Sequence, residues 1–255
     1  MKLVRDTWLL FHRYTVQMLR NPVWLFVGFS TPLLYLVLFT PLLKHFSGPE
    51  TSSATVIDLF LPGILALLAF ASGMSGGFGT IFELQSGVIE RLRVTPASRF
   101  AILMGPLLSG MLMMFVFDAV VVAAATGFGF RLNWGGLAVL VVLLGLLMVT
   151  MSAFAVATEK ADMVTKDISS FAAIINGLNL PVLLLAGVLL PISLGPAWMR
   201  FLAHFNPLYY AVEGARALSA GAFGNAAVWQ AFAVLVPLCI VVLTWATGVF
   251  HRAVA

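Results

Sequence analysis

Residues 135–157 read GGLAVLVVLLGLLMVTMSAFAVA, a run without one charged side chain. A helix crossing the hydrocarbon core of a bilayer needs about 20 such residues. The run is continuously apolar rather than alternating, so it is not one of the roughly 10-residue strands of a membrane barrel. In lipid every backbone N–H and C=O must be bonded internally, and a helix does this within one segment. Five further apolar runs lie at 23–43, 59–82, 100–128, 168–190 and 229–250, with Asp118 the only charged residue among them. The run at 23–43 exceeds the roughly 7–15 apolar residues of a signal-peptide core. Pro41, Lys44 and His45 stand where a small-x-small cleavage site would, so it reads as a permanent span.

Composition agrees. Of 255 residues, 61% are hydrophobic and 9% charged, against roughly 25% charged in a soluble domain. Mean hydropathy is +1.04. A soluble enzyme or binding module of this size cannot hide so much apolar surface. Cys239 is the only cysteine, which excludes a disulfide scaffold. The net charge of +4 is spread between apolar runs and not in a basic stripe with aromatics, so nucleic acid is not the partner. The reading is an all-α membrane protein, an amphipathic helix over 1–22 followed by a six-helix transmembrane domain over 23–255.

Cytoplasmic loops carry an excess of Lys and Arg. One set of segments holds Lys2, Arg5, Arg13, Arg20, Arg91, Arg93, Arg99, Lys160, Lys166 and Arg252; the other holds only Lys44, Arg131, Arg200 and Arg216. Both termini are therefore expected inside, and an even number of spans, which puts both ends on one side, is consistent with that. Trp134, Trp198 and Trp229 fall at outer ends, and Trp8 and Trp24 on the inner side, as interfacial anchors do.

The segments between spans are informative. Over 1–22, Lys2, Asp6, Arg13, Gln17 and Arg20 share one helical face and Val4, Trp8, Phe11, Tyr14 and Met18 the other. The spacing predicts an amphipathic helix on the membrane surface, stopped by Asn21-Pro22. Residues 83–99 form an inner loop whose mixed charges, Glu90, Arg91 and Arg93, interleave with Val88, Ile89 and Leu92 before Pro96. That pattern suits a socket on another protein as well as a solvated turn. The inner loop 158–167 is charged but less distinctive. Residues 191–228 are apolar yet carry turns: Trp198, Phe201, Leu202 and Phe205 share a helical face, Asn206-Pro207 breaks it, and a second short helix runs from 208 to 220 until Gly221. Too short to span, the two are expected to be re-entrant or interfacial. Glu213 and Arg216, three apart on one face, can pair and fix this hairpin.

Within the spans, Asp118 stands among Phe115, Phe117 and Val120. An ionised carboxylate near the bilayer centre costs about 2.5–3.5 kcal/mol on insertion scales. It can pair with Arg131 or Arg216, remain protonated, or line a substrate path. Asn176 and Asn179 share a face ahead of Pro181 and can bridge helices or line that path. Gly73 and Gly77 make a small-xxx-small pair for close packing, within the subunit or between two subunits. Thr31-Pro32 is expected to kink the first span. No lysine completes a Gly-x-x-x-x-Gly-Lys-[Ser/Thr] loop, the four histidines have no metal-ligand spacing, and no nucleophile elbow occurs. The pattern is that of a conduit powered from elsewhere.

These residues resemble the permease subunit of type-two ABC exporters of the daunorubicin-resistance kind. The resemblance is carried by the basic amino terminus leading to Asn21-Pro22, by Glu90-Arg91-Leu92-Arg93-Val94-Thr95-Pro96-Ala97-Ser98-Arg99, by the blocks Pro196-Ala197-Trp198, Asn206-Pro207-Leu208 and Tyr210 to Arg216, and by six spans with both ends inside. It implies two permeases, identical or paralogous, with two copies of an ABC ATPase subunit in a bacterial inner membrane. ATP and Mg would sit on the ATPase, and this chain would bind no cofactor. Glu90, Arg91, Leu92 and Arg93 would form the ATPase-coupling helix. The helix bearing Arg5, Arg13 and Arg20 would be the connecting helix beside it. The hairpin with Asn206, Pro207, Glu213 and Arg216 would cap the exit. The second and fifth spans would flank the path, with Phe70, Phe78, Asp118, Asn176 and Asn179 as candidate lining residues. The cargo would be an amphipathic or hydrophobic small molecule; the rivals are a lipid-linked glycan as cargo, or an ATP-independent channel or scaffold.

Overall fold

The computed structural model of the protein describes residues 2–47, 53–85, 99–130, 134–165, 177, 180–188 and 191–254. Every described element is helical: α1 (Lys2–Leu19), α2 (Pro22–Ser47), α3 (Ser53–Gln85), α4 (Arg99–Gly127), α5 (Trp134–Thr165), a 3-10 turn (Ile192–Leu194), α6 (Ala197–Ala203), α7 (Pro207–Ser219) and α8 (Ala226–Val254). Residues 180–185 add a further helical stretch. Five of these helices hold windows long and apolar enough to cross a membrane: Pro22–Leu42, Val56–Gly76, Met104–Gly127, Gly135–Ala157 and Ala226–Ala246.

Local chemistry sets the boundaries. Asn21 accepts the backbone N–H of Trp24 on its Oδ1 at 3.1 Å, and Pro22 occupies the first helical position, where its missing donor is harmless. The expected break between α1 and α2 therefore falls at Asn21-Pro22. At the expected kink, α2 continues as one helix through Pro32 and Pro41. Two boundaries differ from the sequence expectation. α5 runs on to Thr165, so most of the loop expected at 158–167 is helix. Glu159, Lys160, Ala161, Asp162 and Met163 contain no glycine or proline to stop it, and charge ends a span without ending a helix. The run at 168–190 lies largely outside the described residues. Its described end comes early, because Gly187 adopts φ 68° and Ala186 and Gly187 donate back to the Val182 and Leu184 carbonyls at 3.0 and 3.2 Å. A left-handed glycine is the common helix terminator.

The helices hold together by fit, since lipid supplies no hydrophobic drive between them. Phe60, Ile64, Met114, Leu147, Leu208 and Leu218 are fully buried in one continuous core. α3 is the most enclosed span, whereas α2 leaves most of its surface open, with Phe26 72% and Leu38 61% exposed. Apolar exposure on that scale suits hydrocarbon as the solvent. Gly28 lets Phe117 of α4 lie against α2, where Trp24 (tilted) and Phe29 (edge-on) also pack on the same ring at 5.3 and 4.6 Å between centroids.

Glycines record how the long helices run. A methyl on Gly73 would meet the Met148 carbonyl oxygen at 2.5 Å, and Gly76 lies opposite Ser152. The α3 and α5 numbers rise together, so these helices are parallel. Gly73 is thus a packing residue within the subunit; the surroundings of Gly77 are not among those described. At the starts of α3, α5 and α8, α7 inserts. It packs against all three: Gly136 touches the Leu218 carbonyl, and Gly214 faces Ala231. α1 lies at the opposite end, across the start of α4, where Gly105 meets Leu10.

Candidate functional site

Two constructions stand at the two ends of the bundle. The first is the hairpin of α6 and α7. Asn206 takes a non-helical φ of −96° and caps α7, accepting from the Leu208 N–H at 3.0 Å, with Pro207 at the first helical position. Its amide nitrogen donates to the Val182 carbonyl at 2.7 Å. One buried side chain therefore both starts α7 and ties it to the helical stretch 180–185. Tyr210 Oη closes the turn by donating to the His204 carbonyl at 3.1 Å.

Arg216 makes the stronger tie. Its Nη1 donates to Glu213 Oε1 at 2.7 Å, the pair expected from the spacing. Its other bonds have no counterpart in any spacing rule. Nε donates to the Leu59 carbonyl of α3 at 2.9 Å, and Nη2 donates to the Gly187 carbonyl at 2.5 Å. Gly63 of α3 lies against the Val188 carbonyl, so α3, the 186–188 turn and α7 meet around one guanidinium. The Arg216 side chain is 11% exposed. Burial draws its pKa below the ordinary arginine value, and the Glu213 charge opposes this. Burial, followed by Glu213, pushes the neighbouring Tyr209 phenol upward. A planar five-donor fork can serve three acceptors on three segments at once. The only sequence signal for this is an arginine, one of two with Arg200, in an apolar outer block.

The two hairpin helices differ from each other. α6 presents Trp198 and Phe201 to the outside, and Phe205 in the turn after it is also outward, all three 63–74% exposed. α7 buries Leu208, Ala211, Val212, Gly214, Ala215 and Leu218. α7 is thus part of the core rather than a surface helix.

The second construction is α1 on α4. Leu10 and Tyr14 are buried against α4. The Ser109 hydroxyl lies 2.9 Å from the carbonyl oxygens of both Phe11 and Gly105, and Thr15 Oγ1 donates to Ser109 Oγ at 3.3 Å. The apolar side of α1 is therefore split. Tyr14, expected from the helical spacing on the membrane face, turns into the protein, while Val4 and Trp8 stay 70% and 62% exposed. Arg5, Arg13 and Arg20 are exposed.

The remaining candidates are scattered. Phe70 is buried in the core. Asp118 is buried between Met114 and Val121 on one face of α4, and neither carboxylate oxygen has a hydrogen-bond partner among the described residues. The pairing with Arg216 allowed by the sequence does not form, because that guanidinium is committed at the α7 end. Arg131, Asn176, Asn179 and the loop with Glu90, Arg91, Leu92 and Arg93 lie outside the described residues, as do the surroundings of the Phe78 side chain. Since Asp118 makes no bond among the described residues that substitution can break, Asp118→Asn is expected to leave thermal stability in detergent unchanged or higher. A fall of more than about 4 °C, roughly 1 kcal/mol for a chain of this size, would reveal a partner.

Compared with known proteins, residues 5–219 match the family described as ABC-2 type transporter. The match begins in α1 and ends at the last residue of α7. The chain is 28% identical over 221 residues to putative transport permease ycf38 of Cyanophora paradoxa, covering 84% of this chain and 74% of that one. It is 27% identical over 218 residues to the protein of the same name in Pyropia yezoensis, covering 85% and 74%. It is also 26% identical over 198 residues to daunorubicin resistance ABC transporter permease protein DrrB1 of Streptomyces coeruleorubidus, covering 76% and 67%.

Proposed function

Because this chain belongs to the ABC-2 type transporter family and is a multi-pass transport permease, we propose that it is the membrane subunit of an exporter driven by a separate ABC ATPase. Its cargo would be an amphipathic or hydrophobic small molecule, or a lipid. Two permeases and two ATPases would assemble in a bacterial inner membrane, with both termini of this chain cytoplasmic and with ATP and Mg on the ATPase. The likeness to a daunorubicin-resistance permease supports the small-molecule reading.

The path of the chain supports a sixth crossing. α5 starts at the α7 end, and at about 1.5 Å per residue its 32 residues carry it to the other end. The 186–188 turn, held by Arg216 and Gly63, is back at the α7 end. We take these two placements as support for a return crossing between them, for which 168–190 is the proposed apolar run.

One juxtaposition carries the mechanism. α4 begins at Arg99, directly after the loop 86–98, and its first turns are clasped by α1. A push on Glu90 to Arg93 would therefore act on α4 and α1 together. Closure of the ATPases would supply that push, the parallel pair α3 and α5 would tilt around the Gly73 contact, and the α7 end would open. Phe70, Phe78, Asp118, Asn176 and Asn179 are proposed to meet the cargo.

The test is reconstitution. Vesicles holding this chain together with its co-purified ATPase should accumulate an apolar fluorescent cargo only with ATP and Mg. Accumulation against a gradient by this polypeptide alone would overturn the proposal, as would a pure homo-oligomer that conducts ions, which would favour a channel.

A further inference from the structure

The turn from α1 into α2 forms a shallow, open depression of about 590 Å³ lined by His12, Arg13, Val16, Gln17, Arg20, Asn21 and Pro22. Its lining is unusual for this chain: two arginines, a histidine and two amides in a protein with only 9% charged residues. Arg13 and Arg20 are exposed, and among the described residues neither has a carboxylate partner, the one ion pair being that of Arg216 with Glu213. Arg13 is steadied over the Tyr14 ring, 5.7 Å from its centroid, and Tyr14 is itself buried against α4. The depression sits beside exposed apolar side chains. Leu19 precedes it at 53% exposure, and Val23 and Phe26 follow down α2 at 70% and 72%.

We propose that this elbow binds the phosphate headgroup of an anionic phospholipid, with the acyl chains lying along Leu19, Val23 and Phe26. Guanidinium groups match phosphate oxygens in geometry as well as charge. Basic residues at the mouth of a span attract anionic lipid, each strengthening binding by about fivefold. The adjoining apolar track selects the occupant. Val23 and Phe26 open a lipid-facing span, so a phospholipid satisfies the arginines with its headgroup and this track with its acyl chains, whereas a soluble phosphate or an acidic protein segment would engage the arginines alone. The inference needs only α1 and the start of α2, and it stands whether or not the coupling loop acts as proposed above.

The experiment uses the full-length chain in detergent, with lipid retention followed by native mass spectrometry. Offered equal amounts of phosphatidylglycerol and phosphatidylcholine, the wild type should retain phosphatidylglycerol selectively. Arg13→Gln with Arg20→Gln should lose about 25-fold of that preference, two contacts of roughly fivefold each. Arg13→Lys with Arg20→Lys keeps the charge without the fork and should restore part of it, giving a readout even if the glutamine pair folds poorly. Arg200→Gln on α6, at the other end, should change nothing. Equal retention of the two lipids by the wild type would overturn the proposal, as would unchanged phosphatidylglycerol binding in the glutamine pair. Displacement of the lipid by millimolar inorganic phosphate would overturn it by assigning the site to a soluble anion. If the glutamine pair lost the ATPase while keeping its lipid, this face would belong to the protein partner instead.

Discussion

Replacing Arg216 by alanine should destabilise the protein by about 3 kcal/mol, the low end of what removing one member of a buried ion pair costs, because Glu213 is a third exposed. Three losses coincide. Glu213 keeps a carboxylate with no counter-charge, and the Leu59 and Gly187 carbonyls lose their donors. α7 is then held to α3 and the 186–188 turn by packing alone, with Asn206 still tying it to the stretch 180–185. The unfolding midpoint in detergent should fall by roughly 10 °C. Arg216→Lys should recover little, because one ammonium cannot reach acceptors on three segments. Adding Glu213→Ala to Arg216→Ala should restore part of the loss, since the stranded carboxylate goes with it. If alanine at 216 left the midpoint within about 2 °C of wild type, less than roughly 1 kcal/mol, Arg216 would be a surface ion pair of the weak kind.

Reversing the charges in the loop before α4, by Arg91→Glu with Arg93→Glu, should abolish ATP-driven transport while leaving the bundle folded. The loss should exceed tenfold, because placing like charges across a desolvated contact costs several kcal/mol. ATP hydrolysis by the complex should persist but no longer respond to cargo, and the thermal midpoint of the permease should match wild type. Full transport by the double variant would remove the coupling role proposed for Glu90 to Arg93. A lost complex together with a lowered permease midpoint would move the defect from coupling to folding. Arg93→Lys is the milder control and should keep most transport if charge, rather than the guanidinium fork, makes the contact.

Much of this protein is legible in its amino-acid sequence. The apolar lengths place α2, α3, α4 and α8, because a membrane demands about 20 apolar residues however the helices later pack. Asn21-Pro22 and Asn206-Pro207 mark helix starts because capping is local chemistry, settled within three or four residues. The Glu213–Arg216 pair is legible for the same reason. The end of α5 is not, because hydropathy reports where a helix leaves lipid and not where its hydrogen bonds stop.

What only the tertiary structure decides involves partners far away along the chain. Arg216 bonds Leu59 and Gly187, 157 and 29 positions distant, and no spacing rule links them. Tyr14 turns from lipid into α4 because Gly105 leaves room for α1 to settle there. The short α7 is a core helix and α6 an exposed one, although both are apolar and flank the same proline. Composition cannot separate burial in protein from burial in lipid, since both environments accept the same side chains. Only the fit of glycine, alanine and backbone across helices distinguishes them.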